Sequence, residues 1–307
     1  MIFILFTTLN SIELITAIPN TNDYNNDKAL LGKMLFFDKR LSHNNTISCA
    51  SCHNISKGGD DDLALPFGIY QKKGTRNSPT VLNAKFNEIQ FWDGRAKSLQ
   101  AQASGPIHNP VEMDSNFDEI ISKLKKDKQF SKKFLLTYPD GFSEYNITNA
   151  ISEFEKTLTT PNSRFDKFLK GNKSALNDKE MKGYQTFKEY GCISCHNGVN
   201  IGGNLIQKIG IVDTYYTDDL GRFYVTKDEN DKFYFKVPTL RNIDLTAPYF
   251  HNGEVKTLKE AVEKMLKYQI GYLLEDEEIE NIVLFLKTLN GETPKFMKDT
   301  ENEKIYN

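Results

Sequence analysis

At 307 residues the chain has room for two domains of ordinary size, and 39% hydrophobic with 26% charged residues suits a globular protein with a buried core. A formal net charge of −2 excludes the globally basic surface that nucleic acid or anionic lipid would require. Beyond the N-terminus no apolar run is long enough to cross a bilayer.

The elements read as follows in chain order. Met1 to Ala17 (MIFILFTTLNSIELITA) has an apolar stretch and then Ile15-Thr16-Ala17, a small-residue cleavage pattern, but lacks a basic start and is interrupted by Glu13. It reads either as a worn secretory leader over residues 1–20 or as a short buried N-terminal segment. Asp114 to Tyr138 has helical spacing through Phe117, Ile120, Ile121 and Leu124, with a solvated lysine face. A second helix carries Ile147, Ala150, Ile151, Phe154 and Leu158. Pro161 to Ser174 gathers Pro, Asn, Ser, Gly and Lys and reads as a junction, giving domains over residues 21–165 and 166–307. Asp178 to Tyr190 is a predicted helix. Phe223–Val225 and Phe233–Val237, flanking the polar Lys227–Asp231, predict a β-hairpin. Thr257-Leu-Lys-Glu260 is a capping box opening a helix through Lys267, and Glu275 to Leu289 is a last amphipathic helix stopped by Gly291. The fold class is mainly α: two domains with long loops and a small β-hairpin in the second.

The cysteines say what the two domains hold. All four fall into two copies of one pattern, Cys49-Ala-Ser-Cys52-His53 and Cys192-Ile-Ser-Cys195-His196, whose starts lie 143 residues apart. Two thiols at this spacing reach the vinyl groups along one porphyrin edge, and the following histidine ligates the iron from below. A zinc site built from two Cys-x-x-Cys pairs needs no histidine after each. A thioredoxin-like motif expects one such pair beside a β-α-β pattern, and four cysteines are too few for a disulfide framework in this length. Two c-type haems therefore attach here, one to each of two cytochrome c-like domains.

Several stretches, in order, resemble the bacterial dihaem cytochrome c peroxidases: Leu31-Gly-Lys-Met-Leu-Phe-Phe-Asp38, Thr46-Ile-Ser-Cys-Ala-Ser-Cys-His53, Arg76-Asn-Ser-Pro-Thr80 and Phe91-Trp-Asp-Gly-Arg95, then Gly105-Pro-Ile-His-Asn-Pro-Val-Glu-Met113, Lys236-Val-Pro-Thr-Leu-Arg-Asn242 and Ala247-Pro-Tyr-Phe-His-Asn-Gly253. The resemblance covers nearly the whole chain after about Asp27. It implies an N-terminal haem that reduces hydrogen peroxide and a C-terminal haem that receives electrons from a small c-type cytochrome or cupredoxin. It makes His53 and His196 the proximal ligands and Met265 the distal ligand of the second haem; spacing alone would leave Met265 as core packing. It casts Glu112 as the group that moves the peroxide proton, Gln102 as its hydrogen-bonding neighbour, and Trp92 as the aromatic between the haems. Asn77, Thr246 and Pro248 match calcium-binding positions, oxygen donors of the kind calcium takes. Haem c attachment in this family takes place outside the cytoplasmic membrane, so a periplasmic location follows, and family members are often calcium-dependent homodimers.

One departure matters. Many family members carry a histidine on the loop after the first haem motif that caps the oxidised iron. Here the position is Ile69, followed by Tyr70. The expectation is an open first haem that needs no reductive activation, with Tyr70 as the alternative ligand. His43 and His108 read as loop or pocket-wall residues, and His251 as a hydrogen-bonding residue near the second haem. Two other functions stay open: a non-catalytic dihaem electron-transfer cytochrome, and a dihaem oxidase acting on a protein or organic substrate. The latter is disfavoured by methionine at position 265.

Overall fold

Two helix pairs, built the same way, organise the chain. In the computed structural model, which describes residues 13–21 and 23–299, α1 (Asn26–Phe36) packs on a later helix, α5 (Glu144–Thr157). In the second half α7 (Asp178–Glu189) packs on α10 (Asp276–Lys287). Each pair closes at a glycine. A Cβ on Gly32 would stand 1.8 Å from the Ala150 carbonyl oxygen, and one on Gly183 would stand 1.9 Å from that of Asn281. Only a residue without a side chain lets the backbones meet so closely.

The repeat continues into the loops. Pro79-Thr80 and Pro238-Thr239 each begin a turn that leads to a left-handed asparagine, Asn83 at φ 61° and Asn242 at φ 59°. Both asparagines donate a side-chain N–H to the same oxygen, Thr160 Oγ1, at 2.8 and 2.9 Å. Thr160 thus sits at the seam between the halves.

Around the first pair stand α2 (Leu99–His108), α3 (Phe117–Lys126) and α4 (Lys128–Thr137). The single helix expected from Asp114 to Tyr138 is broken at Asp127, whose carboxylate accepts the backbone N–H groups of Gln129 and Phe130 and so starts a new helix. The expected junction is likewise ordered: α6 (Arg164–Leu169) occupies it, opened by a Ser163–Asp166 capping box.

The predicted hairpin is corrected. Phe223–Thr226 is one helical turn, α8, closed by Lys227 at φ 60°. The strand β2 (Tyr234–Lys236) pairs antiparallel with β1 (Ile206–Lys208) instead. The aromatic alternation was real, but its partner lay upstream of the turn. Thr257 caps α9 (Leu258–Met265), which runs on as one wider turn through Ile270.

The described residues near each end cross to the other half. Phe296, on α11 (Lys295–Asp299), packs in the first core with Phe154, while Ile15 packs in the second core with Phe165 and Phe187. Residues 1–12 of the expected leader lie outside the described residues. Ile15 and Ile18, by contrast, are buried in the fold, so cleavage after Ala17 would remove a core side chain. No helix among the described residues is long and apolar enough to cross a membrane.

Candidate haem sites

The two cysteine motifs adopt one local structure. Each forms a short turn in which the second cysteine and the histidine both donate their backbone N–H to the first cysteine's carbonyl: Cys52 at 3.1 Å and His53 at 3.0 Å to Cys49, Cys195 at 3.3 Å and His196 at 3.0 Å to Cys192. Each imidazole is then held through Nδ1, 3.2 Å from the Gly59 carbonyl for His53 and 3.3 Å from the Ile201 carbonyl for His196. Such a bond fixes the tautomer and leaves Nε2 free to ligate. Burial pushes both imidazoles down to about 4, so they stay neutral, the ligating form. Burial also pushes the Cys52 thiol up to about 12 and that of Cys192 up to about 11. Cys49 packs against the first core and Cys192 against the second. The two cysteine pairs, set in separate halves, do not come together as one shared four-cysteine zinc site.

The second site is a cavity of about 360 Å3 lined by Cys192, Cys195, His196 and Met265 together with Trp92 and Leu286. That volume lies in the range of cofactor pockets. Imidazole and thioether in one apolar cavity, beside two attachment thiols, fit a c-type haem with a raised reduction potential. Trp92 comes from the first half yet lines this cavity. Its indole N–H donates to the Asn77 carbonyl at 2.9 Å, and its own carbonyl accepts from the Lys236 N–H at 2.7 Å. Lys236 is buried with its Nζ 6.0 Å from the Trp92 ring, and burial lowers it to about 8. His251 also lines the cavity, stacked on Phe235 at 4.2 Å with Nε2 3.1 Å from Thr217 Oγ1.

At the first site Glu112 is half-buried, and desolvation raises its carboxyl above the ordinary range, with Asn109 and Arg95 pulling the other way. Its hydrogen-bond partner is a correction to the sequence reading. Asn109 Nδ2 donates to Glu112 Oε1 at 2.6 Å, whereas Gln102, on α2, makes no such bond. The Asn-Pro-Val-Glu turn folds Asn109 back over its own segment, and Asn109 Oδ1 accepts the Val111 N–H. An asparagine two residues before an N–H in a proline turn was the available signal.

The loop after the first motif is pinned to this site. Ile69 is fully buried and its N–H donates to the Glu112 carbonyl at 2.8 Å. Tyr70 points outward, 59% exposed, beneath Lys72. This removes Tyr70 as the alternative ligand. Sequence reading also passed over Asp60 and Glu155. Both are buried with carboxylate oxygens that find no partner, and burial raises them to about 7 and about 8.

Asn77, Thr246 and Pro248 are all among the residues lining the second cavity. Asn77 uses its backbone N–H on His251 and its side-chain NH2 on Leu63. His43 pairs through Nδ1 with Glu119 at 3.0 Å, and the His108 ring stands edge-on against Phe117.

Fold and sites together define a dihaem c-type cytochrome with unlike halves. Residues 26–174 match the di-haem cytochrome c peroxidase family model and residues 180–290 match that of cytochrome c. The chain is 48% identical over 295 residues to a cytochrome c peroxidase of Escherichia coli (strain K12), covering 94% of this chain and 63% of that protein. It is 48% identical over 287 residues to the cytochrome c551 peroxidase of Nitrosomonas europaea, covering 92% and 86%. Its fold superposes on the crystal structure of a MauG-like protein associated with microbial copper homeostasis, with TM-score 0.79 and 27% identity over 91% of this chain and 93% of that one. The chain belongs to the bacterial dihaem cytochrome c peroxidases. It carries the residues for two haem c groups, and it spans just under two thirds of the Escherichia coli relative's length.

Proposed function

We propose that this chain reduces hydrogen peroxide to water at the haem held by Cys49, Cys52 and His53, with two electrons entering through the haem held by Cys192, Cys195, His196 and Met265. The observation that carries the reading is Glu112, a carboxyl raised by burial, fixed by Asn109 and set against the pinned Ile69 loop. Haem iron, when bound, supplies the coordination position and redox equivalents for O–O cleavage. Glu112 takes the proton from one peroxide oxygen and delivers it to the other, so that water leaves. Trp92, reaching from the first half into the second cavity, relays electrons between the sites. The donor is a small c-type cytochrome or cupredoxin, and the enzyme works in the periplasm as a homodimer. Calcium, when bound, would be held by Asn77, Thr246 and Pro248, partly through backbone oxygens.

Because Ile69 replaces the capping histidine and Tyr70 faces solvent, the first site is open in the oxidised enzyme. The test is a spectrum of the oxidised holoprotein, followed by peroxide without any reductant. A high-spin component that reacts at once is expected. A wholly low-spin spectrum that stays silent even after one-electron reduction would leave an electron-transfer cytochrome in place of the peroxidase.

A further inference from the structure

The two halves correspond residue by residue around their Pro-Thr turns, and one position breaks the match chemically. Leu82 of the first half is an ordinary core side chain, while its counterpart is Arg241, whose side chain has no exposed surface. A guanidinium is costly to bury unless its donors are met. Arg241 Nη1 donates to Asp166 Oδ1 at 2.7 Å and to Ser163 Oγ at 3.3 Å, and Nε donates to the Val199 carbonyl at 3.0 Å. Nη2 donates to the carbonyl of Thr16, at 2.9 Å. Asp166 Oδ1 also accepts the Ile18 N–H at 3.2 Å. One buried ion pair therefore grips the N-terminal segment at two points.

The same segment is stitched to the loop that follows the second haem histidine. Gly198 donates its N–H to the Leu14 carbonyl at 2.9 Å, and Thr16 donates to the Gly198 carbonyl at 3.4 Å. Ile15 fills the second core beneath them. Within that loop, Val199 accepts from Arg241 and Ile201 accepts from His196 Nδ1. The strap, the ion pair and the proximal histidine form one connected set.

We infer that Leu14–Ile18 is a retained strap that positions His196, and that any export processing cuts N-terminal to Leu14 rather than after Ala17. The inference rests on His196 being the second haem's proximal ligand. A hydrogen bond from Nδ1–H to a carbonyl makes imidazole the stronger electron donor to iron and holds the potential down. Loosening residues 197–201 weakens that bond, so losing the strap raises the second haem's potential and leaves the first haem unchanged.

The test begins with the intact mass of the holoprotein recovered after export, which is expected to place the N-terminus at or before Leu14. Two versions behind one foreign leader, beginning at Glu13 and at Pro19, are then titrated by spectroelectrochemistry. The shorter version is expected to show a raised second-haem potential and a weakened His–Met charge-transfer band, with an unchanged first-haem spectrum. Equal potentials, or a native N-terminus at Ile18, overturn the strap. Should the shorter version fail to accumulate, Ile15→Ala in the longer one is read the same way: a shift confined to the second haem supports the strap, and no shift overturns it. A Glu13 version carrying a single haem would instead defeat the assignment of His196, and the strap with it.

Discussion

Asn109→Ala tests the proton-transfer role of Glu112 most directly. Desolvation raises the Glu112 carboxyl, and the Asn109 Nδ2–H bond at 2.6 Å is the largest influence holding it down, with the Arg95 charge behind it. A hydrogen bond to a charged group is worth about 1.5–3 kcal/mol, and one pKa unit is about 1.4 kcal/mol. Removing a donor that stabilises the charged form therefore raises the carboxyl by about 1–2 units. A base must be ionised before it takes the peroxide proton, so the acid limb of kcat/KM for peroxide moves up by the same amount. On that limb the rate falls by about 10- to 100-fold, while the alkaline plateau stays near the wild-type level. Stopped-flow reaction of the oxidised enzyme with peroxide across the acid and neutral range reads both. Asn109→Asp keeps the acceptor for Val111 but sets a second carboxylate beside Glu112, and it should move the limb in the same direction. A uniform loss at every pH with an unmoved limb would refute the reasoning.

Three further outcomes follow from the geometry. Ile69→His places an imidazole where the loop touches the Glu112 backbone, so the oxidised first haem should turn low-spin and react with peroxide only after one-electron reduction, as paired spectra would show. Met265→His replaces the thioether in the second cavity and should lower that haem's potential in a redox titration. Glu155→Gln addresses a carboxyl that burial raises from 4.5 to about 8. Because its folded pKa lies above the unfolded value, the wild type loses stability as pH rises from about 4.5 to about 8, by at most about 5 kcal/mol. The glutamine variant should lack that decline in denaturant titrations run at several pH values.

Much of the site was legible because its chemistry is written in short spacings. Each cysteine pair and its histidine lie within five residues, and the turn that shapes them is local. Helices whose signals are capping residues and apolar periodicity were also readable, as at Thr257 and Asp178. What failed was pairing at a distance. Tyr234–Lys236 carries strand character, but nothing local says that Ile206–Lys208 rather than Phe223–Val225 is its neighbour. The Ile15-Thr16-Ala17 pattern likewise looks like a processing site until Arg241, far along the chain, is seen holding Thr16. Asn109 was hidden for a different reason: a neighbour three residues away can be a partner or a bystander, and only the turn decides.

The duplicated scaffold also explains how one architecture supports two chemistries. Thr157 and Thr288 each donate their hydroxyl to the carbonyl three residues back at 2.6 Å, which aligns α5 with α10 residue by residue. In that alignment Leu286, which lines the second haem cavity, corresponds to Glu155. An apolar wall suits a site whose work is to pass electrons, because little around it must reorganise when the charge changes. Burial raises the Glu155 carboxyl, close to Cys49, to about 8, so it stays protonated at neutral pH. The difference between the halves thus lies less in their helices than in single substitutions at matched positions. Arg241 for Leu82 gives the second half its strap, and Glu155 stands in the first half where the second has Leu286.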